Sequence, residues 1–282
     1  MADLLTAQSG RIKAARRLTD RRERRSQGRF LIEGPQSLAE AAAVPGTIEE
    51  IFATPQAAET YADLLATTGL SWQLADDRAV ASLSGTVTPT GLVAVCRADT
   101  VLTQLSPAAP LPDLVVVCAD VRDPGNAGTM IRCADAAGAG LVIFAGDSVD
   151  PLNPKAVRAS VGSLFHLPIV VDISVHEALA ALRERGHRVL AADGAGEVDL
   201  FAADALLDGP VAWLFGNEAW GLPAATAAMA DHRVRIPILG KAESLNLATA
   251  AAVCLYASAR RAAEPGQPDQ PVDAATGRRE GQ

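Results

Sequence analysis

The sequence predicts an α/β protein in which a mostly parallel, helix-covered C-terminal sheet follows a smaller α/β module. Residues 114–121, 140–145, 167–171, 188–192, 211–215 and 233–239 are apolar, β-branched runs, too continuous for strands with one face in water. Helical stretches over 126–137, 154–164, 175–185 and 245–261 separate most of them. Strands interleaved with helices in this way build a parallel sheet buried on both faces. Ahead of them, residues 99–112 carry three prolines and little periodicity, which marks a linker between units 1–98 and 113–262.

The first unit opens with a charged helix over 9–27 and the short strand 29–33, followed by a helix over 36–43 and a strand over 50–54. The alternation continues through a helix over 57–67, a strand over 71–75, a helix over 78–82 and a strand over 91–97. Residues 263–282 are rich in Pro, Gly, Gln and Asp and hold no aromatic residue, so a disordered tail is expected.

At 282 residues and 49% hydrophobic content the chain can bury a real core. No apolar run approaches the roughly 18–20 residues that span a bilayer, and the first ten residues lead into arginines rather than an apolar segment. A cytoplasmic protein with no membrane partner is expected. Cys96, Cys118, Cys133 and Cys254 form no CxxC pair, and the four histidines show no ligand spacing, so neither disulfides nor a metal site are expected. The formal net charge of −8 hides an asymmetry: nine basic against three acidic side chains make residues 1–30 +6, leaving −14 on the rest. Arg16, Arg17, Arg21, Arg22, Arg24, Arg25 and Arg29 are the candidate phosphate contacts of this arm, with a solvated Arg-rich helix as the alternative.

Familiar nucleotide loops are missing. Gly138-Ala139-Gly140 ends a helix and opens a strand, the reverse of a dinucleotide fingerprint. Gly194-Ala195-Gly196 lacks the third glycine, and after the Walker-like spacing of Gly216 and Gly221 stand Leu222 and Pro223 where Lys and Ser/Thr belong. Three other segments place polar residues directly after buried strands, where open α/β sheets bind ligands. In DVRDPGNAGTMIR (residues 120–132), Pro124 and Gly125 shape a turn, Asn126 is placed to cap the following helix, and Gly128 allows close backbone approach. Arg132 follows about a turn and a half later. In VAWLFGNEAWGL (211–222), a strand runs straight into Gly216, Asn217 and Glu218. In IPILGKAESLNLA (236–248), Glu243, Ser244 and Asn246 crowd a helix start.

These segments resemble the three motifs of the SpoU family in the SPOUT superfamily of RNA 2′-O-ribose methyltransferases. The first is carried by Asp120, Asp123, Pro124, Asn126, Gly128 and Arg132, and the second by Gly216, Asn217, Glu218 and Gly221. The third is carried by Ile236, Pro237, Gly240, Ser244, Leu245 and Asn246. The resemblance implies a SPOUT fold with a deep trefoil knot, an exception to the rule against threaded loops, and a homodimer formed through the knotted domain. It also implies S-adenosylmethionine as methyl donor, held by backbone around Gly216, Ile236 and Leu245, with Asn217 and Asn246 beside it. RFLIEGPQSLAEA (29–41) more loosely resembles the ribosomal-protein-like RNA-binding module that precedes many SpoU domains.

That two-domain layout is similar to ribosomal RNA methyltransferases, including the thiostrepton-resistance type. A transfer RNA methyltransferase and a non-catalytic RNA-binding factor of the same fold remain the alternatives. The family assigns activation of the ribose hydroxyl to the arginine matched by Arg132. A guanidinium, with a pKa above about 12, is a poor base, so Arg132 is expected to orient hydroxyl and phosphate while Glu218 tunes the proton's path and Asn126, Ser244 and Asn246 hold the geometry. Cys133 and Trp220 depart from the family pattern without removing a catalytic group.

Overall fold

The structure is a computed structural model that describes residues 4–106 and 109–263. All of the expected tail except Ala263, which ends the last helix, lies outside the described residues.

The N-terminal unit is a four-stranded sheet of β1 (Arg29–Glu33), β2 (Ile48–Ala53), β3 (Trp72–Leu74) and β4 (Leu92–Arg97), in the order β1-β4-β2-β3. β4 runs antiparallel to β1 and β2, while β3 is parallel to β2. The helix expected over 9–27 is two helices, α1 (Gly10–Arg17) and α2 (Arg21–Gln27). The Asp20 side chain accepts from the backbone N–H groups of Arg22 and Glu23, and this N-cap starts a new helix where charge patterning alone suggested continuity. Then come α3 (Pro35–Ala43), α4 (Pro55–Thr60), α5 (Ala62–Thr67) and α6 (Asp77–Ala81); the helix expected over 57–67 breaks at Tyr61.

The larger sheet has eight strands, all parallel, as the continuous apolar runs required. They are β5 (Leu102–Thr103), β6 (Leu114–Ala119), β7 (Leu141–Ala145), β8 (Ile169–Ile173), β9 (Arg188–Ala192), β10 (Val198–Asp199), β11 (Val211–Phe215) and β12 (His232–Arg235), in the order β10-β12-β9-β11-β6-β7-β8-β5. The helices are α7 (Pro124–Ala136), α8 (Pro154–Ser160), α9 (Val175–Arg183), α10 (Ala224–Ala227) and α11 (Leu247–Ala263). β5 comes from the segment read as linker and pairs with β8, so that segment contributes the sheet's edge. The helix expected over 154–164 stops at Ser160, because Val161 turns left-handed at φ 51°. The strand expected over 233–239 ends at Arg235, and the apolar residues beyond it leave the sheet.

One core runs through both units: Phe30 and Leu92 belong to the same buried cluster as Met130 and Leu164. The Phe30 ring stacks on Phe165 at a centroid distance of 6.3 Å. The Arg24 guanidinium, 2% exposed, is bound to Asp150 at 2.6 Å and donates to the carbonyls of Leu18 and Thr19 at 3.0 and 2.9 Å. Arg24 therefore ties the arm to the sheet unit. Its place among the RNA-contacting arginines is corrected, since a guanidinium with every edge engaged in the interior is closed to a phosphate. His166 makes a second link, with Nδ1 2.8 Å from Asp135 on α7 and Nε2 3.1 Å from Glu40 on α3. At the far end, the buried Trp213 indole donates to Ser258 Oγ at 2.9 Å and fixes α11 on β11.

Candidate active site

The strand order places a switch point between β6 and β11: the chain leaves β6 toward β7 on one side, and β9 lies beyond β11 on the other. Ligands of open parallel sheets bind beyond the strand ends at such a crevice. All three motif segments meet there.

Asp123 is the N-cap of α7, accepting from the Asn126 N–H at 2.8 Å, so the cap expected at Asn126 sits three residues earlier. Lys155 bonds the other Asp123 oxygen at 3.0 Å, and this contact, with the Asn126 amide, holds the Asp123 carboxyl below its ordinary pKa. The shift of the cap frees the Asn126 side chain. Its Nδ2 donates to Glu218 at 3.3 Å, and its Oδ1 accepts from Asn246 Nδ2 at 3.2 Å. Asn246 Oδ1 in turn accepts from the backbone N–H groups of Ala248 and Thr249, capping α11. Glu218 accepts from the backbone N–H groups of Arg122 and Asp123 at 3.1 and 3.0 Å. Asn217, 5% exposed, donates to the Asp120 carbonyl at 2.7 Å. Motifs one and two are thus joined at two points, and Asn126 links both to the start of α11.

Two glycines have steric reasons. A Cβ on Gly216 would stand 2.5 Å from the Gly221 carbonyl carbon, so the 216–221 turn closes only around glycine. A Cβ on Gly128 would stand 2.2 Å from the Ala156 carbonyl oxygen, so the approach it permits is that of α8 to α7. Asp120 adopts φ 56°, and its Oδ1 accepts from the Asp147 N–H at 2.7 Å.

A cavity of about 350 Å³ opens beyond the ends of β9, β11 and β12. Gly216, Asn217, Ile236, Ser244 and Leu245 line it; Asn246 and Arg132 do not. Ile236 and Ile238 explain the early end of β12: these apolar side chains face the cavity instead of continuing the sheet. Asp193, Glu218 and Glu243 give the lining three carboxylates, with no lysine or arginine. Such a wall disfavours a phosphate-bearing nucleotide and suits a ligand carrying positive charge beside an apolar ring. A sulfonium cofactor with an adenine fits that description.

Arg132 is exposed on α7, and its side chain makes no hydrogen bond or ion pair among the described residues. Next to it, Cys133 Sγ lies 3.9 Å from the Ala248 carbonyl, where α7 meets α11. In the arm, Arg16 bonds Ser82 and the Ala7 carbonyl, while Arg17, Arg25 and Arg29 pair with Glu23, Asp172 and Glu49. Arg21 and Arg22 keep side chains without a partner among the described residues. Sequence reasoning passed over Arg122, whose only signal was a variable position inside the first motif, and Lys155, which lies 32 residues from the carboxylate it binds.

A model of the "SpoU rRNA Methylase family" matches residues 113–256. The chain belongs to the SpoU rRNA methylase family. A model described as "MRM3-like substrate binding domain" matches residues 10–94. A Bacillus subtilis relative, 23S rRNA (guanosine(2553)-2′-O)-methyltransferase RlmP, is 32% identical over 259 residues, 91% of this chain and 98% of that protein. The AdoMet-bound rRNA methyltransferase of Sinorhizobium meliloti superposes with a TM-score of 0.79 at 31% identity, covering 91% of this chain and 97% of that one. AviRb of Streptomyces viridochromogenes, a SpoU methyltransferase in complex with AdoMet, also gives 0.79, at 29% identity over 91% of this chain and 99% of that one.

Proposed function

We propose that this protein methylates the ribose 2′-hydroxyl of ribosomal RNA, with S-adenosylmethionine as donor. The observation that carries the reading is the acidic, apolar-walled cavity at the switch point, tied through Glu218 and Asn126 to the helix bearing Arg132. The full-length likeness to a 23S rRNA 2′-O-methyltransferase supports ribosomal RNA as the substrate class.

Gly216, Ile236 and Leu245 hold the adenine through backbone groups, with Asn217 shaping the turn beneath it. Bound S-adenosylmethionine supplies an electrophilic methyl group on a sulfonium, for which the Asp193, Glu218 and Glu243 carboxylates provide a favourable field. The chain's own tasks are to place the hydroxyl and to ease removal of its proton. Arg132, unpartnered and exposed, is the group free to grip hydroxyl and phosphate with its planar fork. Both Glu218 oxygens already accept from the motif-one turn, so Glu218 is better read as a positioning residue than as part of the proton's path. Asn126 and Asn246 belong to the same class, and Ser244 stands on the cavity wall.

Residues 1–98 form the RNA-binding unit, resembling the ribosomal-protein-like module, and residues 113–262 form the catalytic unit. The 236–246 segment and the return of α11 onto α7 support a trefoil knot around the cofactor. Trp220, Ile238, Leu239 and Leu245, exposed on or beside the cavity-lining segments, support a homodimer that covers them. No helix among the described residues is long and apolar enough to cross a membrane, in keeping with a cytoplasmic enzyme acting on ribosomal RNA. The test is transfer of labelled methyl to separated ribosomal and transfer RNA, followed by nucleoside digestion. A 2′-O-methylnucleoside from ribosomal RNA is expected; label on a base, or on transfer RNA alone, would refute the proposal.

A further inference from the structure

We infer that Arg21, Arg22, Arg25 and Arg122 line one groove that carries RNA backbone phosphates from the N-terminal arm to the first motif turn. This inference rests on the RNA reading above and adds a path and a residue to it. The groove, of about 780 Å³, runs between α2, the turns after β6 and β7 and the end of β8, and is lined by these four arginines with Asp20, Gly146, Asp147 and Asp172. Arg21 and Arg22 have no side-chain partner among the described residues. Arg25 pairs with Asp172, and Arg122 with Asp147 at 3.3 Å. Both pairs are open to water: the side chains of Arg122 and Asp147 are 55% and 86% exposed. Exposed pairs of this kind contribute little to stability, so exchanging either carboxylate for a phosphate costs little. Asp20 is committed to capping α2.

Two features set the direction of the path. Arg24, in the middle of α2, is buried against Asp150, so the helix presenting Arg21, Arg22 and Arg25 is fixed to the catalytic unit. At the other end, the Arg122 backbone N–H is held by Glu218, a residue of the cavity wall, so a phosphate gripped by Arg122 lies beside the turn that shapes the site. Arginines carried at both ends on anchored backbone fix the register of the strand as well as adding affinity.

The test measures binding of a 23S ribosomal RNA transcript across a salt series, for the wild type, Arg22→Gln, Arg122→Gln and the control Arg183→Gln, which alters net charge equally at an exposed position of α9 outside the groove and outside the RNA-binding unit. Arg22→Gln and Arg122→Gln should each flatten the slope of log K against log salt by roughly 0.7–0.9 and weaken binding, with affinity for S-adenosylmethionine unchanged. Arg183→Gln should leave the slope as it is. Arg122→Gln behaving like Arg183→Gln, while Arg22→Gln weakens binding, would overturn the groove and leave RNA recognition by the arm standing. Absence of salt-dependent RNA binding by the wild type would overturn the RNA reading and the groove together.

Discussion

Replacing Arg24 with Met keeps most of the aliphatic stem and deletes the guanidinium. What is lost can be counted: the pair to Asp150 at 2.6 Å and two bonds to the carbonyls of Leu18 and Thr19. The Asp150 side chain, 11% exposed, is left as an unpaired charge with the Leu152 N–H as its remaining donor. Breaking a buried pair by removing one partner costs about 3–5 kcal/mol, whereas removing both charges is far milder. Arg24→Met should therefore lower Tm by roughly 10 °C, at about 2–4 °C per kcal/mol for a chain of this size, and Arg24→Met/Asp150→Asn should recover much of the loss. Calorimetry on Arg24→Met, Asp150→Asn, the double variant and the wild type closes the cycle. A fall of only a degree or two for Arg24→Met, or simple additivity in the double variant, would refute the pin between arm and sheet.

Glu218→Gln replaces a carboxylate that accepts from two backbone N–H groups with an amide offering one good acceptor. Because the site is exposed, a loss of about 1–2 kcal/mol in transition-state positioning is expected, roughly 5–30-fold in kcat, with a smaller loss of cofactor affinity by calorimetry because the Asp193 and Glu243 carboxylates remain in the wall; equal losses in both would contradict a positioning role. The carboxylates of Asp135 and Glu40 raise the pKa of His166 above its usual 6.5. Its stabilising contribution should thus be complete below about pH 6.5 and fade as pH rises through the raised value, so the Tm gap between wild type and His166→Gln should shrink from pH 6 to about pH 8; a widening gap would reverse the assignment. Gly128→Ala drives a methyl toward the Ala156 carbonyl and should cost about 1–3 kcal/mol by prying α8 from α7, visible as a lower Tm.

The parallel sheet was legible because strands buried on both faces need continuous apolar runs; β9 and β11 begin and end where those runs do. The motif turns were legible because polar residues packed directly behind such strands have few structural uses. What escaped sequence reading depended on partners far along the chain. Arg24 looks like any arm arginine until Asp150, 126 residues away, closes over it. The apolar run at 236–239 reads as strand because periodicity cannot tell a side chain facing a sheet neighbour from one facing a cavity. Asn126 and Asp123 are both good caps, and only the Lys155 and Glu218 contacts decide which one serves.

The central claim is that this fold methylates ribose with Arg132 at the reacting hydroxyl, and the most direct test is single-turnover methyl transfer to 23S ribosomal RNA by wild type, Arg132→Lys and Arg132→Ala at saturating S-adenosylmethionine. Lysine keeps the charge but loses the planar fork that can hold a hydroxyl and a phosphate together. The account predicts a 2′-O-methylnucleoside from the wild type and a severe loss of rate in both variants, with cofactor affinity retained. Near-normal transfer by either variant, or methyl recovered on a base, would contradict it.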